Sequence, residues 1–161
     1  MIRSTSLIAL FLVASGSALA APEKAAVFDF QFSNLSPVPS DTADTARLKR
    51  VSAQLRDLLQ KKGLFTVVSV DPVRDEVAKS ADLRRCNGCA DELARKLGAD
   101  VAITGEVQKV SNLILNLNVY VKPLGGSAPE KAYSVDLRGD TDESFDRGIR
   151  FLVENNMGAG K

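Results

Sequence analysis

The chain has 161 residues, with 21 lysines and arginines against 20 aspartates and glutamates, so its length fits one folded domain of nearly zero net charge. A neutral domain has no electrostatic attraction to nucleic acid or to an anionic membrane, which argues against both as partners. The sequence contains no histidine, which excludes Ser-His-Asp and Cys-His catalytic sites and metal centres with histidine ligands. We expect no cofactor and no bound metal.

Residues 1–20 predict a secretory signal peptide that precedes the domain. Arg3 gives a positive start, residues 7–13 are apolar, and Ala18-Leu19-Ala20 is an A-x-A cleavage site. The apolar run is shorter than the roughly 20 residues of a membrane span. We expect cleavage after Ala20 and export to the periplasm, with a retained N-terminal anchor as the alternative.

The mature chain is then expected to contain one domain over residues 21–157 and a short disordered tail over residues 158–161. No segment after the signal peptide is long and apolar enough to span a bilayer, so no membrane span is predicted in the mature chain.

The domain opens with a predicted strand over residues 25–32. Its apolar start and later alternation place Phe28, Phe30 and Phe32 on one face. Asp29 falls inside this strand near its carboxyl end, where a carboxylate in an open α/β sheet can belong to a ligand crevice. The alternative is that Asp29 caps a neighbouring helix or faces solvent.

The next two elements predict a β-α-β unit. Residues 43–62 place apolar side chains at helical spacing, and Gly63 follows where a helix often ends in glycine. Residues 64–70 are β-branched and apolar, which indicates a second strand. A long helix between two short strands favours parallel pairing with a right-handed crossover.

Two short helices follow in the middle of the chain. Asp71 and Pro72 form a typical helix start, with the aspartate as cap and the proline in the first helical position, and this helix ends near residue 81. Residues 82–88 predict a turn that holds the first cysteine. Residues 90–97 predict another helix.

The last third changes to strands. Residues 101–107 and 113–121 are predicted strands, and the alternation of Tyr133, Val135 and Leu137 indicates a further strand. Short connections predict an antiparallel three-stranded meander. The expected fold is a single mixed α/β domain of about five strands, in the order β-α-β-α-α-β-β-β-α.

A charged turn precedes the last predicted helix. Its sequence is Arg138, Gly139, Asp140, Thr141 and Asp142. In the structural interpretation, Asp140 or Thr141 caps the helix and Gly139 permits the bend. In the functional interpretation, main-chain N–H groups at the helix start act with Arg138 and Arg147 to bind an anion or a peptide carboxylate. Asp140 and Asp142 then belong to the same ligand or partner surface.

Cys86 and Cys89 are the two cysteines of the chain. In an oxidising compartment two cysteines this close should form a disulfide, which would fix the turn before the helix. A redox-active pair is the alternative, because a helix N-terminus stabilises a thiolate. A metal site would need ligands from a second chain, since two thiolates complete only half of a zinc site.

Several motifs resemble those of small secreted bacterial proteins of unknown function, of the DUF2380 and DUF3280 kind. They are Cys86-Asn87-Gly88-Cys89-Ala90, Leu93-Ala94, Leu97-Gly98-Ala99-Asp100, Gly105-Glu106-Val107, residues 137–145 and Arg147-Gly148-Ile149. The element order is more distantly similar to the N-terminal domain of TolB and to CsgG-like envelope proteins. This resemblance implies a periplasmic α/β domain and supplies no catalytic residues.

The sequence therefore favours a non-enzymatic periplasmic module that binds a protein partner of the cell envelope or a small ligand. The alternative function is a thiol–disulfide oxidoreductase in which Cys86 is the nucleophile and Cys89 resolves the mixed disulfide.

Overall fold

A computed structural model of the chain describes residues 21–37, 39–80 and 82–158. The predicted signal peptide and residues 159–161 of the predicted tail lie outside the described residues. In the described ranges the strands are β1 Lys24–Val27, β2 Gln31–Asn34, β3 Thr66–Val68, β4 Val101–Lys109, β5 Ile114–Pro123 and β6 Lys131–Arg138. The α-helices are α1 Thr42–Lys61, α2 Arg74–Lys79, α3 Cys89–Lys96 and α4 Asp142–Phe151. A 3₁₀ turn, Asp71–Val73, precedes α2, and a π-helical segment, Leu152–Met157, follows α4.

The strands form one mixed sheet in the order β3-β1-β4-β5-β6, and β2 also pairs with β4. β1 is parallel to both of its neighbours, so that Ala26 lies opposite Val68 on one side and Ala102 on the other. β4, β5 and β6 are antiparallel. The predicted mixed α/β fold, the β-α-β unit and the C-terminal meander are all confirmed.

α1 begins and ends within one residue of the predicted helix because its ends are marked in the sequence. The Asp41 side chain accepts a hydrogen bond from the Asp44 N–H at 2.8 Å, and the Asp44 carboxylate accepts one from the Asp41 N–H at 3.1 Å. This reciprocal pair is a capping box. At the other end Gly63 adopts a φ of 63°, a conformation that suits glycine.

The predicted strand over residues 25–32 is wrong in one respect, because it is interrupted at residues 28–30. Val27 lies opposite Ile103 and Gln31 lies opposite Glu106, so one extra residue is accommodated between β1 and β2. The break reverses the alternation of side chains. Phe28 is buried in the smaller of two hydrophobic clusters, while Phe30 is buried in the larger one.

The two hydrophobic clusters lie on the two faces of the sheet. α1, α4 and the π-helical segment supply side chains to the larger cluster, and the region from the 3₁₀ turn through α3 supplies them to the smaller one. On the face of the smaller cluster, the part of the sheet formed by β5 and β6 carries polar side chains that are half-buried or exposed. They are Asn116, Asn118, Tyr120, Ser134 and Asp136.

The cap predicted at Asp71 is wrong. Asp71 is the first residue of the 3₁₀ turn, and the residue in the cap position, Val70, makes no side-chain cap hydrogen bond. The Asp71 carboxylate instead accepts hydrogen bonds from the hydroxyl of Ser69 and from the guanidinium of Arg74.

Of the two residues predicted to cap α4, Asp140 and Thr141, it is Thr141 that does so. The Thr141 hydroxyl accepts a hydrogen bond from the Ser144 N–H at 3.2 Å.

Candidate partner-binding surface

Exposed apolar side chains gather at the tip of the hairpin that joins β4 to β5. Of the five large hydrophobic side chains that are exposed in the described part of the chain, four lie here: Leu35, Val110, Leu113 and Ile114, at 66%, 51%, 75% and 62% exposed. The backbone joins them, since the Leu35 N–H donates to the Lys109 carbonyl at 2.9 Å and the Val110 N–H donates to the Ile114 carbonyl at 3.1 Å. We call these four residues the tip patch. Clustered exposed apolar surface is typical of an interaction site.

A shallow groove of about 530 Å³ lies beside the tip patch. It is lined by Leu113, Ile114, Leu115, Asp136, Leu137, Arg138 and Gly139. The groove connects the hairpin tip to the end of β6, so the tip patch and Arg138 belong to one continuous surface.

A second groove, of about 270 Å³, lies between β6 and α4, and we call it the edge groove. It brings together two of the predicted site residues, Arg138 at the end of β6 and Arg147 on α4. Phe151, the fifth exposed large hydrophobic side chain of the described residues, also lines it and is 51% exposed. The charged turn before α4 predicts Arg138 and Arg147 as site residues, whereas no sequence pattern indicates that Phe151 belongs to the same surface.

Asp140 and Asp142 form ion pairs with cations other than these two arginines, in a cluster of charges beneath the tip. The Lys109 ammonium, whose side chain is 4% exposed, lies 2.5 Å from the Asp140 carboxylate and 3.3 Å from that of Asp44. Arg47 on α1 extends the cluster, at 2.9 Å from Asp140 and 3.0 Å from Asp142. The cluster therefore joins β4, α1 and the turn before α4.

The charges of this cluster stabilise one another. Burial by itself would lower the pKa of the Lys109 ammonium, but hydrogen bonds to Asp140 and Asp44 outweigh it and hold that pKa above its usual value. The pKa of the Asp142 carboxyl is lowered by hydrogen bonds from Arg50 and Arg47. Lys109 and Asp142 consequently keep their charges at neutral pH.

The charge cluster also fixes the hairpin tip. The main-chain N–H of Asp140 donates to the Asn112 carbonyl at 2.9 Å, and that of Gly139 donates to the Leu113 carbonyl at 3.3 Å. The Asp140 side chain is at the same time held by Lys109, at the end of β4. The hairpin tip is therefore fastened to the turn before α4 by main-chain hydrogen bonds and an ion pair, and ordering of this kind before binding lowers the entropic cost of binding a partner.

Asp29 lies in the break between β1 and β2 rather than on a strand, and its side chain is 60% exposed. It forms an ion pair with Arg56 of α1, whose guanidinium also donates to the Val27 carbonyl at 3.0 Å. Asp29 takes no part in the charge cluster, so the structure does not bring it together with Asp140 and Asp142.

The predicted disulfide joins Cys86 to Cys89, with 5.7 Å between their Cα atoms. Both cysteines are half-buried against the smaller hydrophobic cluster, and α3 begins at Cys89. The loop before them is tied to the sheet by Arg84, which lies 3.5 Å from the centre of the Tyr120 ring and donates to both carboxylate oxygens of Glu130 at 2.8 and 3.1 Å. The disulfide thus sits where the loop enters α3.

Replacing both cysteines, as Cys86→Ser/Cys89→Ser, should lower the free energy of unfolding by about 2 kcal/mol, because the bond closes a small loop in the unfolded chain. Urea unfolding with and without dithiothreitol measures the effect. The reductant should lower the free energy of unfolding of the wild type by the same amount and leave that of the double variant unchanged.

The reduction potential of the pair separates a structural disulfide from a redox-active one. A potential below about −300 mV without insulin reduction fits a structural bond. A more oxidising potential with turnover would contradict the structural role and favour the oxidoreductase alternative.

In the ranges that the structure covers, no helix is long and apolar enough to cross a membrane. The same residues hold no group of three or more cysteine, aspartate or glutamate side chains arranged to hold a metal ion. Fold and surface together define a small mixed α/β domain with an exposed apolar tip supported by buried charges.

The chain belongs to the family described as "Protein of unknown function (DUF2380)", also called DUF3280, which matches residues 23–157. The predicted family is therefore confirmed. No curated protein matches the chain.

Several solved structures are similar to this chain. The C-terminal domain of LpoB from Salmonella enterica has a TM-score of 0.50 and 18% identity, covering 74% of this chain and 86% of that one. A PelC dodecamer from Paraburkholderia phytofirmans has a TM-score of 0.47 and 14% identity, and the match covers 87% of this chain and 93% of the PelC chain. Lipoprotein GNA1162 from Neisseria meningitidis has a TM-score of 0.48 and 13% identity, covering 88% and 99%.

At this level of identity the LpoB comparison supports the mixed α/β fold alone. These similar structures are LpoB, PelC and GNA1162 rather than TolB or CsgG. The more distant resemblance to TolB and CsgG stays an expectation from the sequence.

Proposed function

We propose that this protein is a non-enzymatic module of the bacterial cell envelope that binds a protein partner through the tip patch. The observation that carries the proposal is the concentration of exposed apolar side chains at the hairpin tip, of which Leu113 is 75% exposed. The predicted signal peptide over residues 1–20 supports a periplasmic location.

The geometry of the tip favours a protein over a small ligand. The tip patch projects from the end of the sheet and the adjoining groove is shallow, whereas small-molecule sites are usually concave and bury most of the ligand. A partner that covers the four side chains gains about 25 cal/mol for each Å² of apolar surface removed from water. Arg138 at the border of the patch forms no ion pair within the described residues and suits a partner with an acidic group nearby.

Photo-crosslinking in living cells tests the proposal. A photoreactive amino acid placed at Leu113 should give one discrete adduct with another envelope protein, because Leu113 is the most exposed residue of the tip patch. The matched control position is Gln60, which is exposed near the other end of α1. Since α1 has 20 residues and its first turn touches the charge cluster, Gln60 lies about 25 Å from that end of the sheet.

The adduct should depend on the apolar side chains of the patch. The double variant Leu35→Ser/Val110→Ser, with the photoreactive group still at Leu113, should lose it while keeping the wild-type circular dichroism spectrum. Equal labelling from Gln60, or an adduct that survives the double variant, would contradict the proposed function.

A further inference from the structure

We propose that a polar cavity between α3 and the sheet binds a small zwitterion of the α-amino acid class, with its carboxylate at the start of α3 and its ammonium group beside Asp91 and Glu130. The cavity has a volume of about 200 Å³ and is bounded by the first turn of α3, the loop before it, and strands β4 and β5. It lies towards the opposite end of β4 and β5 from the tip patch, so the inference is independent of the proposed partner-binding function.

The start of α3 provides hydrogen-bond donors to the cavity. Ala90 and Asp91 of the first turn line the cavity, and so does Gly88 in the cap position. Glycine has no side chain that could accept from this turn, and no side-chain hydrogen bond within the described chain caps the helix. The first N–H groups of a helix have no partner inside the helix, so those of α3 can donate to a negatively charged group in the cavity.

A buried hydroxyl independently indicates a polar ligand. Thr104 of β4 lines the cavity on the same face of the sheet as Ala102, and it is only 6% exposed. Its hydroxyl makes no hydrogen bond with any other residue that the structure describes. The hydroxyl therefore retains its donor and its acceptor capacity for a group inside the cavity.

The charges that line the cavity are balanced. The Lys122 ammonium of β5 lies 2.6 Å from the Asp91 carboxylate of α3. The Arg84 guanidinium donates to both carboxylate oxygens of Glu130, at 2.8 and 3.1 Å. A simple anion would meet two carboxylates and a simple cation would meet two basic groups. A zwitterion complements both signs, because its ammonium group donates to carboxylates while its carboxylate accepts from N–H and hydroxyl groups.

The volume of the cavity restricts the ligand to a small molecule. One water molecule occupies about 30 Å³ in the liquid, so the cavity of about 200 Å³ corresponds to roughly seven waters. Glycine, alanine and serine are of this size, whereas amino acids with long or aromatic side chains are larger. Most of the cavity surface is polar, which favours such short side chains over large apolar ones.

The disulfide holds the start of α3 in place at the cavity. Cys86 and Cys89 flank Gly88, whose φ of 102° lies in the left-handed region that favours glycine. The bond thus fixes the turn from which the first N–H groups of α3 project. Reduction of the disulfide should loosen this turn and weaken binding, which gives the Cys86-Asn87-Gly88-Cys89 motif a role in shaping the site.

Titration of the purified, isotope-labelled protein with glycine, alanine and serine, in L and D forms, tests the inference. Heteronuclear NMR should show saturable shifts of the main-chain N–H signals of Gly88, Ala90 and Asp91. Glycinamide lacks the carboxylate and N-acetylglycine lacks the ammonium group, so each should bind at least about tenfold more weakly than glycine. Inorganic phosphate, a simple anion, should bind more weakly as well.

Thr104 provides a matched pair of variants. Thr104→Val removes the hydroxyl and should weaken binding of the tightest of the three amino acids at least about tenfold, whereas Thr104→Ser keeps the hydroxyl and should retain binding. Thr66→Val is the control, because Thr66 is an exposed threonine on β3, away from the cavity. Circular dichroism checks that each variant is folded, and the glycine analogues test the same contacts on the unaltered protein.

Dithiothreitol should weaken amino-acid binding severalfold in the wild type and have no effect on Cys86→Ser/Cys89→Ser, and equal binding before and after reduction would contradict the role given to the disulfide. Three results would overturn the site itself: no saturable shift up to about 10 mM amino acid, binding of glycinamide, N-acetylglycine or phosphate as tight as that of glycine, or unchanged binding by Thr104→Val. The Leu113 crosslink tests the tip patch separately, so the two proposals can fail independently.

Discussion

Replacing Lys109 with methionine should lower the free energy of unfolding by about 3 kcal/mol, which is among the largest effects expected of any single substitution in this domain. The methionine keeps the length of the side chain but removes the charge that Asp44 and Asp140 share. Both carboxylates are almost fully buried, and Arg47 compensates them only in part. Urea unfolding followed by circular dichroism measures the loss.

Lys61→Met is the matched control. Lys61 also pairs with an aspartate, Asp57, at 2.8 Å, but both side chains are more than half exposed, so the change should alter stability by less than about 0.5 kcal/mol. The triple variant Asp44→Asn/Lys109→Met/Asp140→Asn should recover part of the loss, because it leaves fewer uncompensated buried charges. Similar effects of Lys109→Met and Lys61→Met would show that the cluster contributes no more than a surface pair.

The same lysine makes stability depend on pH at the alkaline end. The pKa of Lys109 is raised in the folded protein above its ordinary value of 10.5, so the folded state holds the proton more tightly than the unfolded chain does. The resulting stabilisation is fully present below the ordinary pKa and is lost as the pH rises through the raised value. Above about pH 10.5 the wild type should therefore lose stability faster than Lys109→Met.

The sequence pattern was sufficient to predict the elements whose signals are local. α1 has an aspartate cap, a buried apolar stripe and a terminal glycine, and each of these can be recognised without tertiary information. The strand predicted over residues 113–121 is likewise confirmed, and the alternation of its apolar residues matches the one buried face of β5. In these segments the local conformational preference of the residues agrees with the burial that the fold imposes, so one sequence pattern predicts both the element and its buried face.

The charge cluster could not be predicted in this way. Lys109 precedes a turn and has the sequence context of an ordinary surface lysine, while Asp44 and Asp140 lie 65 and 31 residues away along the chain. Nothing local indicates that these groups meet in the interior. The charged turn predicts one ligand or partner surface that contains Asp140, Asp142, Arg138 and Arg147. The structure instead places the two carboxylates in the charge cluster beneath the tip, whereas Arg138 and Arg147 line the edge groove.

The break between β1 and β2 escaped prediction because the alternation continues through it. Phe28 and Phe30 have the spacing of a single strand face. The tertiary structure separates them: the Phe28 N–H donates to the Ile103 carbonyl at 2.9 Å, and the Phe30 N–H donates to the buried Ser52 hydroxyl at 2.8 Å. A side-chain acceptor on α1 thus replaces the strand partner that Phe30 would otherwise need.

Because Phe30 packs directly over Gly105 on β4, these two positions should be energetically coupled. Phe30→Ala alone should lower the free energy of unfolding by about 3–5 kcal/mol, since it empties a buried ring site in the larger cluster. Gly105→Ala alone should cost about 1–3 kcal/mol, because a Cβ atom at this position would overlap the ring. In the Phe30→Ala background the added methyl group enters the vacated space, so the cost of Gly105→Ala should vanish.

Urea unfolding of the wild type, the two single variants and the double variant measures this coupling as a double-mutant cycle, with an expected interaction of about 1–3 kcal/mol. Gly125→Ala is the control, because a Cβ atom there meets nothing within 4 Å. Additive effects of Phe30→Ala and Gly105→Ala would contradict the coupling and would mean that the ring moves aside when the methyl group is added. Coupling would show instead that Phe30 can enter the larger cluster after the break because Gly105 has no side chain. The chain then continues as β2 beside β4, which is also the neighbour of β1.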